Sequence, residues 1–446
     1  MLDLALVILF CFLGVVVGIA TGLLPGLHVN NIALILLTLS GTIVAACAPL
    51  FAYGISEGFI LVLICGFIIS VSISHTFHDV IPTTFIGAPE EDTALSVLPA
   101  HALLLEGNGY KAIALSALGS YGAIVVCILL IFPIRFLIGS PLFLYSTLQE
   151  IMVWVLIAIA ILMLATETAK IDIFSTKGKI PSITGMLFAM FVFFLSGIFG
   201  IIILDFVLDS PIGLDAPVLF PALAGLFGTP TLINSLMEKP VIPKQKIEKL
   251  KLSISEKKNS VLSVITGSFA GILVSIIPGI TSATGTILAM NAREGSGNEQ
   301  TIVTLSSVNT ASAFSVILVL FIILRPRSGA AIAVNELISV EEWTSFMIPT
   351  NLIYLLMFLI LGGALSYFFT IKIGKVFASK FANVPYSLLV TLTIAMISIL
   401  VFIFTGFMGI FILFVATCIG FLPVLWGVRR SHCMGILLIP IIIHFL

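Results

Sequence analysis

Two stretches with the same spacing of glycine and proline could each form an anion site. The first reads GVVVGIATGLLPG over residues 14–26, and the second reads GSFAGILVSIIPG over residues 267–279. Proline removes a backbone donor and clashes with the preceding turn, whereas glycine tolerates the bend, so a helix should break at each Pro-Gly. A helix that begins after the break presents unpaired N–H groups and the positive end of its dipole. Such an end can hold an anion without a lysine.

The polar residues after each break add further hydrogen-bonding groups. The residues expected to bind an anion are the two break glycines and the polar side chains beyond them: Gly26, His28, Asn30, Asn31, Gly279, Thr281, Ser282 and Thr284. The same side chains, joined by freed backbone carbonyls, could also hold Na⁺. The alternative is that each Pro-Gly only kinks a helix for packing. The matched spacing of the two breaks favours the binding site.

Two charged clusters each allow two interpretations. Arg325 and Arg327 flank a proline and could clamp a carboxylate in a bidentate manner, or they could mark the cytoplasmic end of a span. The Glu-Glu-Asp run at residues 90–92 could bind a cation, or it could form the solvated tip of a re-entrant hairpin. The hairpin tip is the preferred interpretation, because three carboxylates beside an anion would repel it.

The sequence His75-x2-His78-Asp79 places two imidazoles on one face of a helix. With His101 and Glu90 these side chains could hold a metal ion. The preferred interpretation is a helix end near the membrane interface, with its polar side chains in the headgroup zone. No metal ligand and no catalytic residue is therefore predicted, and the HExxH motif is absent from the sequence.

The elements that carry these residues belong to a membrane protein. Of the 446 residues, 60% are hydrophobic and 9% are charged, and the mean hydropathy is +1.26. Apolar runs long enough to cross a bilayer core recur along the whole chain. The predicted fold is an all-α polytopic protein of the cell membrane with about eleven to thirteen crossing or re-entrant helices. Lipid is an expected partner, and nucleic acid is not.

A hydrophilic segment divides the chain. Residues 238–258 carry seven lysines and three glutamates, which predicts a cytoplasmic linker. It lies between the two Pro-Gly stretches, so residues 1–237 and 259–446 are predicted to be two related transmembrane repeats with opposite orientations. Paired Gly/Pro-interrupted segments in two such halves point to the binding site of a secondary transporter. The sequence lacks the G-x4-G-K-[ST] nucleotide motif, so an ion gradient is the expected energy source.

The Pro-Gly breaks, the Gly/Pro-rich hairpin over residues 80–107 and the ending RRSHCMGILLIPIIIHFL resemble the large permease subunit of tripartite tricarboxylate transporters. The resemblance covers nearly the whole chain. It implies two related halves, carboxylate substrates such as citrate and coupling to an ion gradient. It also implies a small membrane subunit and an extracytoplasmic solute-binding protein as partners. Asn309 matches an asparagine of the family's second-half motif, which adds it to the expected substrate-binding residues.

The sequence as a whole predicts a symporter that imports small organic anions, of the di- or tricarboxylate type, by alternating access. Na⁺ or H⁺ would be the coupling ion, and no other cofactor is expected. Two alternatives come from other classes. A divalent metal-ion transporter would use the His/Asp/Glu cluster of the first half. A membrane enzyme acting on lipid-linked substrates would use the same cluster for catalysis.

Overall fold

Helices form all the regular secondary structure in the part of the chain that the structure, a computed structural model, describes. That part comprises residues 2–24, 29–87, 97–167, 183–211, 213, 218–238, 242–248, 250, 252–278, 280–291, 297–380 and 385–446. Within it, nine helices are long and apolar enough to cross a membrane, or up to eleven if each of two bent pairs is one span. The prediction of a polytopic helical membrane protein is confirmed.

The first half contains α1 to α12. Their bounds are α1 Leu2–Gly22, α2 Val29–Thr38, α3 Ser40–Cys47, α4 Glu57–His78, α5 Val80–Ile86, α6 Val97–Leu105, α7 Gly109–Ile138, α8 Leu144–Glu150, α9 Met152–Ala165, α10 Ile183–Ile203, α11 Leu219–Leu223 and α12 Thr229–Glu238. A 3₁₀ turn (Ala48–Tyr53) follows α3, and a π-helical turn (Ala224–Gly228) joins α11 to α12. Residues 88–96, which include the predicted acidic hairpin tip, lie outside the described residues.

The second half contains α13 to α19. Their bounds are α13 Ile254–Ile276, α14 Ser282–Asn291, α15 Asn298–Ile323, α16 Gly329–Leu337, α17 Thr350–Lys380, α18 Tyr386–Trp426 and α19 Gly435–Phe445. A 3₁₀ turn (Arg430–Met434) precedes α19. The backbone of α18 leaves the helical region at Gly406, where φ is +61°, a value that glycine adopts easily. Helix α18 is therefore two helical segments that meet at Gly406.

Helix α13 begins inside the lysine-rich segment that the sequence assigned to the linker. Ser253 Oγ accepts a hydrogen bond from Glu256 N at 3.3 Å, and Glu256 Oε2 accepts one from Ser253 N at 2.7 Å. This reciprocal pair is a capping box, a strong signal for a helix start. Helix α13 therefore includes the last five residues of the predicted linker, 254–258.

The two halves pack their first long helices in the same way. A Cβ atom added to Gly14 of α1 would lie 2.6 Å from Phe67 O of α4, and one added to Gly267 of α13 would lie 2.7 Å from Thr304 O of α15. Both distances are too short for a side chain, so each glycine lets two helix backbones touch. The same close approach recurs one turn later in both pairs, at Gly18 and Gly271.

The helices at the ends of the two halves repeat a second contact. Gly200 of α10 lies against Ile436 O of α19, and Gly420 of α18 lies against Leu226 O of the π-helical turn. In each pair the glycine comes from the longer helix and the carbonyl from the shorter element. These matching contacts extend the likeness of the halves beyond the Pro-Gly stretches.

Helices α7 and α17 join the halves and run in opposite directions. Gly363 packs on Ile124, and Gly374 packs on Ile113, so residue numbers rise along one helix as they fall along the other. Each of these helices also packs on the long helix of the opposite half, α7 on α15 and α17 on α4. The two halves are therefore interleaved in the core, where α7 and α17 each pack on both halves.

Candidate functional site

The first Pro-Gly break lies between α1, which ends at Gly22, and α2, which begins at Val29. Residues 25–28 are outside the described residues, and so are the predicted site residues Gly26 and His28. The side chain of Asn31 is outside them as well. The surroundings of the break can be described from the end of α1 and the start of α2.

The end of α1 packs against two histidines of α4. His75 Nδ1 lies 3.2 Å from Thr21 Oγ1, and a Cβ atom added to Gly22 would lie 2.7 Å from His75 O and 3.0 Å from His78 Cβ. His78 Nδ1 lies 2.7 Å from Ser74 O, and its Nε2 lies 3.3 Å from the Thr370 hydroxyl of α17. Two imidazoles therefore lie next to the first break, inside the helix bundle.

The side chains of this polar cluster are buried in protein, whereas the sequence led us to expect them among lipid headgroups. The exposed fractions of His75, His78 and Asp79 are 1%, 0% and 4%. The sequence alone did not show this, because α4 ends at His78 without ending the span. It is followed by α5, and Glu57–Ile86 counts as one span of 30 residues. Ionisable residues within a span are expensive to bury and mark functional positions.

A metal site is not supported by these side chains. The described ranges contain no group of three His, Cys, Asp or Glu residues that could hold a metal ion. Glu90, which the metal alternative needs, lies outside those ranges.

Asn30 connects the first half to the second. Its Oδ1 accepts a hydrogen bond from Gly329 N, the first residue of α16, at 2.8 Å. Ser328 Oγ accepts a hydrogen bond from Ala331 N in the same turn at 3.2 Å. The Oδ1 atom of Asn30 therefore satisfies a free donor at the start of α16.

The second break is enclosed by protein. Helix α13 ends at Ile276, Gly279 is outside the described residues, and α14 begins at Ser282. Thr281, Ser282 and Thr284 have exposed fractions of 9%, 4% and 0%. A helix start at membrane depth is tolerated where protein buries it or where it lines a cavity, and this one is buried.

The hydroxyl groups at this break have weak partners. Thr281 Oγ1 lies 3.5 Å from Met434 Sδ, and Thr284 Oγ1 lies 3.8 Å from Met163 Sδ. Thr281 Oγ1 also accepts a hydrogen bond from Thr284 N at 3.4 Å. Since a thioether is a weak acceptor, the proton of either hydroxyl could be donated to a bound carboxylate at little cost. Asn309 is also buried, on α15, and α14 packs on that helix.

The two arginines line a separate cavity. Its volume is about 430 Å³, and its lining residues are Tyr145, Gln149, Met152, Arg325, Pro326, Arg327 and Phe445. Arg327 donates from Nη2 to the Tyr145 hydroxyl at 2.6 Å. Two guanidinium groups, a phenol and an amide in one cavity suit a carboxylate.

This cavity lies at the end of α15 opposite to the lysine-rich segment. Lys111 Nζ at the start of α7 lies 2.5 Å from Glu299 Oε1 at the start of α15. Lys246 N donates to Gly107 O at 2.8 Å, so the segment adjoins the same end. Helix α15 has 26 residues, so the arginines lie about 39 Å away along its axis. They cannot mark a cytoplasmic span end if the lysine-rich segment is cytoplasmic.

A buried acid–imidazole pair escaped the sequence reasoning. His432 Nε2 lies 2.7 Å from Glu167 Oε2, and Arg429 N donates to the same oxygen at 2.9 Å. The exposed fractions of Glu167 and His432 are 4% and 0%. Two features of the sequence could have indicated this pair: Glu167 is an ionisable residue at the end of an apolar helix, and His432 is a histidine within the RRSHCMG segment near the end of the chain.

The tripartite tricarboxylate transporter TctA family model matches residues 8–435. The chain belongs to that family. A relative from Methanocaldococcus jannaschii, the uncharacterized protein MJ1079, is 30% identical over 98% of this chain and 99% of its own length. No solved structure matches the chain.

The family assignment identifies a multi-pass membrane protein of a transporter family, which is not an enzyme family. The alternative of a membrane enzyme is therefore not supported. Members of a tripartite family work in general with a membrane subunit and an extracytoplasmic binding protein.

Proposed function

We propose that this TctA-family protein moves small organic anions of the di- or tricarboxylate type across the membrane by alternating access, driven by a Na⁺ or H⁺ gradient. The substrate carboxylates would bind at the second break, at the start of α14, where hydroxyl groups lie at the positive end of the helix dipole. The observation that carries this proposal is the buried start of α14, with Thr281, Ser282 and Thr284 around it, in a chain of a transporter family.

Alternating access needs two units that rock against each other. The antiparallel contact of α7 and α17, together with the matched glycine contacts of the two halves, supports an inverted relation between them. Two related units of opposite orientation provide two similar states of opposite access.

The arginine cavity fits the role of an outer vestibule. If the lysine-rich segment is cytoplasmic, the cavity opens on the outer side, where a solute-binding protein would release an anion. Arg325 and Arg327 would attract the carboxylates before they reach the second break. We propose that this chain uses both partner types that its family uses in general.

The test is counterflow of radiolabelled citrate, malate and succinate in proteoliposomes. Exchange by the unmodified protein is expected for at least one of these acids. Thr281→Val and Thr284→Val each delete a hydroxyl at nearly constant size. Each should weaken the apparent affinity by about 1–3 kcal/mol, because a buried carboxylate loses a donor. Thr391→Val, at an exposed threonine of α18, is the matched control and should exchange normally. Absence of exchange for every acid would contradict the proposal.

A further inference from the structure

The geometry points to the Glu167–His432 pair as the site that binds the coupling proton of this transporter. The inference rests on the proposed function, because a coupling site has meaning only in a gradient-driven carrier. It adds the identity of the ion and the residues that hold it.

The pair bridges two elements. Glu167 follows the end of α9, and His432 lies in the 3₁₀ turn that precedes α19. An ionised carboxylate only accepts hydrogen bonds, so the hydrogen between Glu167 and His432 belongs to Nε2 of the imidazole. In the neutral imidazole, Nδ1 is then the free acceptor. This atom is buried and has no hydrogen-bond partner among the described residues.

A proton that arrives at Nδ1 converts His432 to an imidazolium. The carboxylate of Glu167, 2.7 Å away, then forms an ion pair with it in a site that excludes water. Loss of that proton restores the neutral imidazole, which keeps the hydrogen bond but loses the charge attraction. One proton is taken up and one is released in each cycle.

The donors around Glu167 favour a proton over Na⁺. Its Oε2 atom accepts from Arg429 N at 2.9 Å, and Arg429 Nε lies 3.6 Å from the same atom. Sodium ions in transporters are held by freed carbonyl oxygens, whereas Oε2 is contacted here by N–H donors and a guanidinium group.

The same two elements touch the second break. Met163 of α9 lies one turn before Glu167 and contacts the Thr284 hydroxyl. Met434 lies two residues after His432 and contacts the Thr281 hydroxyl. A stronger ion pair draws α9 and the 3₁₀ turn together around the start of α14. Protonation of the pair is thereby linked to the closing of the site that would hold the anion.

Two further titratable groups, Arg430 and Cys433, lie in the same 3₁₀ turn as His432. Arg430 hydrogen-bonds the Thr231 hydroxyl of α12, and the Cys433 thiol is buried beside it. Helix α10, whose Ser196 hydroxyl contacts His432 O, carries no charged residue, and neither does α14. We therefore assign the coupling proton to the His432–Glu167 pair.

The experiment separates coupling from exchange in proteoliposomes. Glu167→Gln and His432→Gln are each compared with the unmodified protein, with the acid that shows counterflow as the probe. Accumulation driven by an inward proton gradient should fall at least tenfold in both variants. Counterflow, which needs no net proton movement, should stay within about threefold. Glu167→Asp keeps the carboxylate and should restore part of the accumulation. His444→Gln and Glu336→Gln, at exposed residues outside the pair, are the controls and should accumulate normally.

The outcomes distinguish the two proposals. Normal proton-driven accumulation in both variants, or equal loss of accumulation and counterflow, overturns the inference and leaves the transporter function intact. Accumulation by the unmodified protein that needs Na⁺ and ignores the proton gradient also overturns it. If the unmodified protein shows no counterflow, the proposed function fails and the inference fails with it.

Discussion

At the residue scale, small side chains let the paired helices of each half approach until their backbones touch. Gly267 faces Thr304 O, and a backbone carbonyl cannot move aside as a flexible side chain can. Helix association in membranes depends on such close packing, because lipid removes the hydrophobic driving force between helices. The glycines before each Pro-Gly therefore have a packing role, which sequence spacing alone does not separate from a role in binding.

Gly267→Ala should destabilise the protein by about 1–3 kcal/mol, because the added methyl overpacks the α13–α15 contact. Gly58→Ala is the matched control, since a Cβ atom added at Gly58 meets nothing within 4 Å. The measurement is the midpoint of thermal unfolding in detergent, followed by size-exclusion chromatography. An unchanged midpoint for Gly267→Ala would contradict the packing described for α13 and α15.

At the element scale, the sequence predicted where helices break and missed what lies beside the breaks. The start of α14 was expected from Pro-Gly, since proline and glycine act locally. The position of His75 and His78 beside the first break was not, because it depends on the packing of α1 on α4. Glu167 and His432 are far apart in sequence, so only the fold brings them together.

The two ends of α15 should be accessible from opposite sides of the membrane. Lys246→Cys lies in the lysine-rich segment and Arg325→Cys at the far end of α15, and both native side chains are exposed. With a cytoplasmic segment, an impermeant maleimide added to intact cells should label Arg325→Cys and spare Lys246→Cys. The unmodified protein provides the background from its six native cysteines. Labelling of Lys246→Cys from outside would reverse the orientation.

At the scale of the whole molecule, the two halves are interleaved. Helix α7 of the first half packs on α15, and α17 of the second half packs on α4. The repeated Pro-Gly stretches predicted two related units. The packing of α7 and α17 on the opposite halves could not be predicted, because it depends on contacts between residues far apart in the sequence. The division of the chain into a first repeat (1–237), a linker (238–258) and a second repeat (259–446) stays a prediction.

The antiparallel contact of α7 and α17 can be tested by cross-linking. A Cβ atom placed on Gly374 would lie 3.4 Å from Cβ of Ile113, which is close to the separation in a disulfide. Ile113→Cys/Gly374→Cys should therefore cross-link under mild oxidation. Ile113→Cys/Gly363→Cys should not cross-link, because Gly363 lies about 16 Å from Gly374, toward the start of α17. The opposite result would mean parallel helices and would remove the support for an inverted relation.

In the proposed mechanism, the second break binds the anion and faces each side of the membrane in turn. The direct measurement is maleimide labelling of Thr284→Cys in right-side-out and inside-out vesicles, with the unmodified protein as background. Labelling is expected from both sides, and the carboxylate that shows counterflow should slow it on both. Labelling from one side alone, or labelling that no carboxylate slows, would contradict the account.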